Sequence, residues 1–353
     1  MSKRQGELAC DGSCSKRSRL IGPTKRKHLY LALDDCHSGF SIHKIDVDAM
    51  QDTNADEPMG GFPGPAVVRL AAPAPQCEIK FIALGSNIFI ATNPRCGQTP
   101  TLVYDTDVAL LSIGPRLPAP LLPAGHDIAV AAGGTLYGLS SVRSAASEQH
   151  PFEALTWQAQ ASVSCPLRPS MDDWSWKTVP SRPPFGKDDR ITSYAVTPTG
   201  APSTWQGRWA LPFQGQGHYD DELDAWVGLH VDGYVCACQV ASPDFKRNAA
   251  PDWRTGTQKL FGRVPEMRMP AGLRANLVYM GDGRFCLVEC VLREGVESQP
   301  EEALGDRGGF LLHISTFGLK YSFNGELQIK NHDTISLVVS KHILTFEPAA
   351  FWI

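Results

Sequence analysis

The sequence predicts an all-β fold built from repeated four-stranded units, and three observations lead to this prediction. Short segments rich in β-branched and aromatic residues, bounded by turn residues, recur along the chain. No long segment shows the 3.6-residue apolar period and the capping residues of a helix. Glycine-centred turns recur at a regular spacing. With 353 residues, 42% of them hydrophobic, the chain is long enough to bury one large core.

Residues 1–27 are predicted to form a disordered basic N-terminal arm that precedes a domain of residues 28–353. The first 28 residues carry eight basic and two acidic side chains, although the net charge of the whole chain is −4. Clusters of this kind are typical of short nuclear-import signals, and a solvated tail is the alternative. The candidate signal consists of Lys16, Arg17, Arg19, Lys25, Arg26 and Lys27. An acidic body offers no broad positive face to a nucleic acid, so no such partner is expected.

The N-terminus has no apolar region of a secretory signal, and no apolar run approaches the ~18 residues that a membrane span needs. We therefore expect a cytoplasmic or nuclear protein without a membrane partner, whose ten cysteines are mostly reduced thiols. Cys236 and Cys238 fall in a strand-like run and would point to one face as small core residues. No pair of C-x₂-C motifs predicts a zinc site.

The strand predictions follow the chain in order. They cover residues 29–33, 79–84, 88–92, 135–139, 226–229, 234–240, 284–291, 310–317 and 334–340. Residues 326–330 alternate between apolar and polar side chains, as expected for a half-buried strand. Apolar strands that run into proline, at residues 111–118, 176–180 and 209–212, predict outer edge strands, where no ladder donor is needed. Ring closure is expected between residues 29–33 and residues 343–346.

The spacing of four glycine-centred hairpins predicts the number of units. Gly85 and Gly133 are 48 residues apart, Gly133 and Gly233 are 100 residues apart, and Gly233 and Gly281 are again 48 residues apart. A period near 50 with four short strands per unit is typical of a kelch-type propeller blade. The sequence therefore predicts a kelch-like β-propeller of about six blades.

One predicted blade is incomplete. The unit between Gly133 and Gly233 has its best strand candidate at residues 191–196, and only 33 residues separate Gly200 from Gly233. We therefore expect one blade to be shortened near residues 197–210. A shortened blade would expose sheet edges and inner faces, so local packing there is expected to be poor.

The densest polar cluster contains His218, Asp220, Asp221, Glu222 and Asp224. A histidine with several carboxylates can bind a hard metal ion or act as an acid–base pair. The alternative, which we favour, is a turn that enters the strand at residues 225–229 and caps backbone amides. No dinucleotide-binding glycine loop and no G-x-S-x-G elbow are present, so no cofactor, metal site or catalytic residue is predicted.

Most of the eight tryptophans are expected in blade cores. Trp253 and Arg254 lie in a turn-rich segment and are the best candidates for an exposed pair. Together with His218, Asp220 and Asp221 they form the candidate binding rim.

Several longer runs resemble a known family. They are residues 28–35, 39–46, 103–106, 174–176, 192–196, 211–215, 218–229, 277–281 and 284–290. They are similar to the plant proteins that carry domain of unknown function 1668, over residues 28–346. The resemblance implies a kelch-like propeller and supplies no catalytic residues. The chain departs from the family after residue 196, where an insert is reduced to residues 200–207.

These observations favour a non-enzymatic protein-binding scaffold whose partner is another protein of unknown identity. That hypothesis rests on analogy with the fold. One alternative is an enzyme or small-molecule binder that uses the propeller channel. Another is a degenerate family member with no retained activity.

Overall fold

The computed structural model describes residues 26–35, 39–50, 61–71, 79–92, 101–118, 121, 128–139, 151–157, 174–180, 191–196, 210–239, 251–262, 275–292, 310–339 and 348–353. Within these ranges the protein is an all-β propeller of five blades, numbered here in chain order. No helix of the described part is long and apolar enough to span a membrane.

Each blade is one sheet whose innermost strand faces a central channel. Blade 1 contains β1 (Leu29–Asp34), β2 (Phe40–Ile45), β3 (Val68–Leu70) and β21 (Ala349–Trp352). Blade 2 contains β4 (Ile79–Leu84), β5 (Asn87–Thr92), β6 (Leu102–Asp105) and β7 (Leu110–Ile113). Blade 3 contains β8 (Ile128–Ala132), β9 (Thr135–Leu139), β10 (Phe152–Trp157) and β11 (Trp174–Thr178).

The last two blades complete the ring. Blade 4 has five strands, namely β12 (Ser193–Ala195), β13 (Gln214–Asp220), β14 (Ala225–Leu229), β15 (Val235–Gln239) and β16 (Trp253–Thr255). Blade 5 contains β17 (Ala275–Gly281), β18 (Arg284–Leu292), β19 (Phe310–Tyr321) and β20 (Leu327–Val339). The strands of each blade pair in an antiparallel manner, except that β12 runs parallel to β13.

The two ends of the described chain close blade 1. Strand β21 pairs with β1, so that Leu29 lies opposite Trp352, and His28 and Ile353 exchange both backbone hydrogen bonds, at 2.7 and 3.1 Å. The predicted role of the first strand in closure is therefore confirmed. The predicted partner was wrong, because residues 349–352 form the closing strand; residues 343–346 lie outside the described residues.

Five hydrophobic clusters of the described residues join neighbouring blades. One each is shared by blades 1 and 5, by blades 4 and 5, and by blades 1 and 2, and two are shared by blades 2 and 3. The inner strands contact one another in the order β8, β4, β21, β17 and β13. Burial of these apolar faces is the main force that holds the blades side by side.

The remaining face of blade 4 is covered by the chain that leads into it. Phe213 is buried beside Trp226, Cys236 and Cys238, and Ala195 of β12 joins the same cluster. The Phe213 ring lies so close to two strand glycines, Gly217 and Gly228, that a Cβ at either would be 2.3–2.4 Å from it. The segment predicted to be shortened and poorly packed, residues 197–210, lies outside the described residues apart from Ala210, so both expectations stay predictions. In the described residues that follow it, the Phe213 ring packs closely on the face of blade 4.

The prediction of six blades was wrong, and the glycine spacing shows why. The turns at Gly85, Gly133 and Gly281 each join the first and second antiparallel strands of a blade, whereas Gly233 joins β14 to β15, at the opposite end of its sheet. The equivalent turn of blade 4 lies between Asp220 and Ala225. The interval of 100 residues from Gly133 to Gly233 therefore runs between turns at different positions in their blades, and it does not correspond to two whole blades. The strand candidate at residues 191–196 adds one parallel strand to blade 4 instead of founding a blade of its own.

Two further details differ from the predictions. Strands β7 and β11 are outermost, as the following prolines predicted, but Leu211 and Pro212 lead into the inner strand β13. The segments predicted separately at residues 326–330 and 334–340 belong to one long strand, β20. Together with β19 it forms a ribbon whose outer part reaches blade 4, where Leu319 and Leu327 enter the core shared by blades 4 and 5.

Candidate functional site

The central channel is the larger of two candidate sites. Its cavity of about 840 Å³ is lined by the inner strands of all five blades. Polar side chains that line it include Lys80, Tyr194, Gln216, His218 and Asn276. Strand β12, the parallel strand of blade 4, contributes Tyr194 to the wall.

His218 lies in the channel wall where blade 4 meets blade 5. Its Nε2 is 2.8 Å from the carbonyl oxygen of Leu277 on β17. Burial lowers the pKa of His218 from 6.5 to about 4, and the hydrogen bond to Leu277 opposes that shift. The ring is therefore neutral at pH 7, and since a carbonyl only accepts, Nε2–H is the donor. This geometry joins two blades and is poorly suited to a general base whose pKa should lie near the working pH.

The carboxylates near His218 form a turn, as the structural alternative predicted. Asp220 is fully buried, and its Oδ1 accepts the backbone N–H of Leu223 at 2.9 Å. Burial raises the pKa of Asp220, and its hydrogen bonds to backbone amides oppose the shift. The Tyr219 hydroxyl donates to Asp224 at 2.7 Å, while Asp221 is exposed. Within the described ranges, no three His, Cys, Asp or Glu side chains come together in a way that could hold a metal ion.

A second candidate site lies at the outer edge of blade 4. A pocket of about 520 Å³ is lined by Trp253 and Arg254 of β16 and by Tyr321 at the end of β19. Trp253 is 46% exposed, and Phe323, in the turn between β19 and β20, is fully exposed. The Arg254 guanidinium donates to the carbonyl of Gly325 in that same turn, so the arginine links two blades.

The structure separates the predicted rim residues into two groups. His218, Asp220 and Asp221 belong to the innermost antiparallel strand of blade 4 and its turn, whereas Trp253 and Arg254 belong to the outermost strand. Strands β14 and β15 lie between them. Sequence reasoning missed Tyr321, which lines the outer pocket from blade 5, and the exposed Phe323 in the turn that follows. The predicted strands at residues 310–317, 326–330 and 334–340 indicated that ribbon but not its contact with blade 4.

Of the candidate import signal, only two residues belong to the described part. The Arg26 guanidinium is 2.7 Å from an oxygen of Asp46, and Lys27 is exposed. Lys16, Arg17, Arg19 and Lys25 lie outside the described residues.

The predicted core role of Cys236 and Cys238 is confirmed. Both are free and buried on the same face of blade 4. Burial raises the pKa of Cys236 to about 12 and that of Cys238 to about 11. Such thiols remain protonated at neutral pH and do not act as nucleophiles.

Comparison with known proteins gives one family match. The family described as "Protein of unknown function (DUF1668)" matches residues 26–203 and residues 201–337. The two matches meet within the segment where the sequence predicted a shortened unit. No curated protein matches the chain.

Proposed function

Since the chain belongs to the DUF1668 family, for which no activity is described, we propose from its surface that it is a non-enzymatic protein-binding scaffold on a kelch-like propeller. The observation that carries the proposal is the outer aromatic cluster, defined as Trp253, Arg254 and Tyr321, which line one pocket. Exposed tryptophan, tyrosine and arginine side chains dominate the binding energy of protein interfaces.

The outer aromatic cluster is held in place before any partner arrives. The Trp253 ring stacks on His230, with the centroids 5.5 Å apart, and Arg254 is bound to the Gly325 carbonyl. Side chains that are already ordered lose less conformational entropy on binding. Phe323 lies in the same turn as Gly325 and is fully exposed, so it would add apolar contact area for a partner bound at this cluster.

The experiment is affinity purification of the full chain with quantitative mass spectrometry of the captured proteins. Replacing Trp253 by alanine should weaken capture of a specific partner about 30-fold or more, as expected for a hot-spot residue. Trp157→Ala is the matched control, because Trp157 is 49% exposed on blade 3, compared with 46% for Trp253. Equal capture by both variants, or capture of chaperones alone, would contradict the proposal.

The channel supports a second candidate function, the binding of a small molecule. Its volume of about 840 Å³ lies within the range of small-molecule pockets, roughly 300–1,000 Å³. Amide and hydroxyl groups of Gln216, Asn276 and Tyr194 face it together with Lys80. A thermal-shift screen of metabolites tests this candidate, because a ligand at 100 times its Kd adds about 2.7 kcal/mol of stability. No shift with any compound at high concentration would count against it.

A further inference from the structure

The outer edge of blade 2 is unusually apolar. Its last strand, β7, exposes Leu110 to 63%, Leu111 to 45% and Ile113 to 66%, and Val108 in the preceding turn is 60% exposed. In the described part of the chain, strand β7 pairs with β6 and with no other strand. None of the described strands therefore pairs with the backbone donors and acceptors on its other side, which lie next to apolar side chains and are a template for a further strand.

The other outer strands carry charges that discourage such pairing. Arg69 lies in β3, Lys177 in β11, Arg254 in β16 and Lys330 in β20. Charged side chains on edge strands are a common protection against edge-to-edge association. Strand β7 has the sequence Leu-Leu-Ser-Ile, so it is the one described outer strand without a charged residue.

The hydrogen-bond pattern shows which groups of β7 point outward. The Gly114 N–H donates to the Thr101 carbonyl at 2.7 Å, and Ser112 lies opposite Val103 in the same register. Because bonded and non-bonded pairs alternate in an antiparallel ladder, residues 110, 112 and 114 direct their backbone groups to β6. Leu111 and Ile113 direct theirs away from the blade.

We propose that a second copy of this chain adds its own β7 to this edge, antiparallel, with Ser112 on the two-fold axis. In that register Leu111 of each copy lies opposite Ile113 of the other, and each such pair exchanges two backbone hydrogen bonds. The pairing joins two blades into one sheet of eight strands. It goes beyond the proposed function, which concerns blades 4 and 5.

Charge favours a second copy over an unrelated segment. The two-fold register brings the acidic end of the β6–β7 hairpin of one copy, with Asp105 at the end of β6 and Asp107 in the turn, towards the exposed Arg116 of the other. The apolar side chains of Leu111 and Ile113 in one copy pack against those of the other copy, so the contact buries no charged side chain. A contact of four residues per strand is smaller than the roughly 1,200 Å² of a stable specific interface, so the dimer is expected to be weak and to dissociate on dilution.

Cysteine cross-linking of the full chain tests the register. Opposed Cα atoms of a non-hydrogen-bonded pair are about 4.5 Å apart, within the range that a disulfide bridges. Ser112→Cys should therefore give a covalent dimer on mild oxidation, well above the level of the wild-type chain. Leu110→Cys is the matched control on the same face of β7, because its two copies would lie roughly 13 Å apart. Equal cross-linking at both positions, or none at either, would overturn the proposal.

Sedimentation of the uncross-linked protein tests the association itself. The wild-type chain should show a monomer–dimer equilibrium, and Leu111→Lys should weaken it about 30-fold or more, because both copies carry the new charge. Leu111 is 45% exposed, so this variant should unfold at the wild-type temperature. Val231→Lys, at a site 47% exposed on blade 4, should leave dimerisation unchanged. A wild-type chain that stays monomeric at high concentration would refute the proposal. That result refutes it even if Leu111→Lys weakens the binding of some other protein to this edge.

Discussion

Acid should destabilise the propeller through His218. The folded state holds this ring neutral, with a pKa lowered from 6.5 to about 4, so the unfolded state binds more protons between these two values. Stability is therefore present above pH 6.5 and is lost as the pH falls. For one histidine with this shift, linkage gives a loss of about 2 kcal/mol at pH 5 and about 3 kcal/mol at pH 4.

Urea unfolding at a series of pH values measures this loss. His218→Gln keeps an amide donor for the Leu277 carbonyl but does not titrate, so its free energy of unfolding should depend less on pH by the same amount. Burial also lowers the pKa of His43 to about 4, so His43→Gln should remove a second contribution of the same sign. If the wild-type chain and His218→Gln lose stability in parallel from pH 7 to pH 4, the reasoning about the buried ring is refuted.

Three further predictions concern the covered face of blade 4 and the N-terminal arm. Phe213→Ala should lower the free energy of unfolding by about 3–5 kcal/mol, because the ring is buried against two glycines. As a control, Phe323→Ala, at an exposed position, should change it by less than about 0.5 kcal/mol. Equal losses in the two variants would contradict the packing of Phe213. Gly228→Val should destabilise the fold, since its Cβ would lie 2.3 Å from the Phe213 ring. Its cost should fall when Phe213→Ala is also present, and a strictly additive double variant would exclude the contact. Replacing Lys16, Arg17, Lys25, Arg26 and Lys27 by alanine should abolish nuclear enrichment of a fluorescent fusion, and an unchanged distribution would refute the import signal.

Local sequence patterns predicted part of the strands, such as β1, β4, β9 and β18, whereas β3, β10 and β13 were not predicted. The predicted limits of β4 and β9 agree with the structure because a glycine turn or a change in composition marks each end. The prolines after β7 and β11 marked outer edges because proline lacks a ladder donor. Turn glycines and prolines at strand ends depend on the backbone conformation of one hairpin, so they can be interpreted without knowing which blades are neighbours.

The number of blades depends on contacts that no local pattern contains. The turn at Gly233 and the turn at Gly281 both need a positive φ, of 92° and 93°, so glycine marks both although they lie at opposite ends of their sheets. The covering role of Phe213 depends on Gly217 and Gly228, which are strand positions without a side chain on that face. Only the folded sheet brings these three residues together.

The candidate sites were predicted in part for the same reason. Trp253 and Arg254 were recognised because a turn-rich segment is exposed. Tyr321 and Phe323 belong to a ribbon of another blade that passes over blade 4, and about seventy residues of sequence separate them from Trp253. His218 was identified by its acidic neighbours, although its own hydrogen bond goes to a backbone carbonyl of the next blade.

A crystal structure of the full chain is the most direct test of the five-blade ring. We expect five sheets around one channel, β21 paired with β1, β12 parallel to β13, and Phe213 packed on the free face of blade 4. Six complete sheets, or a separate sheet between blades 3 and 4 that displaces Phe213 from Gly228, would contradict it.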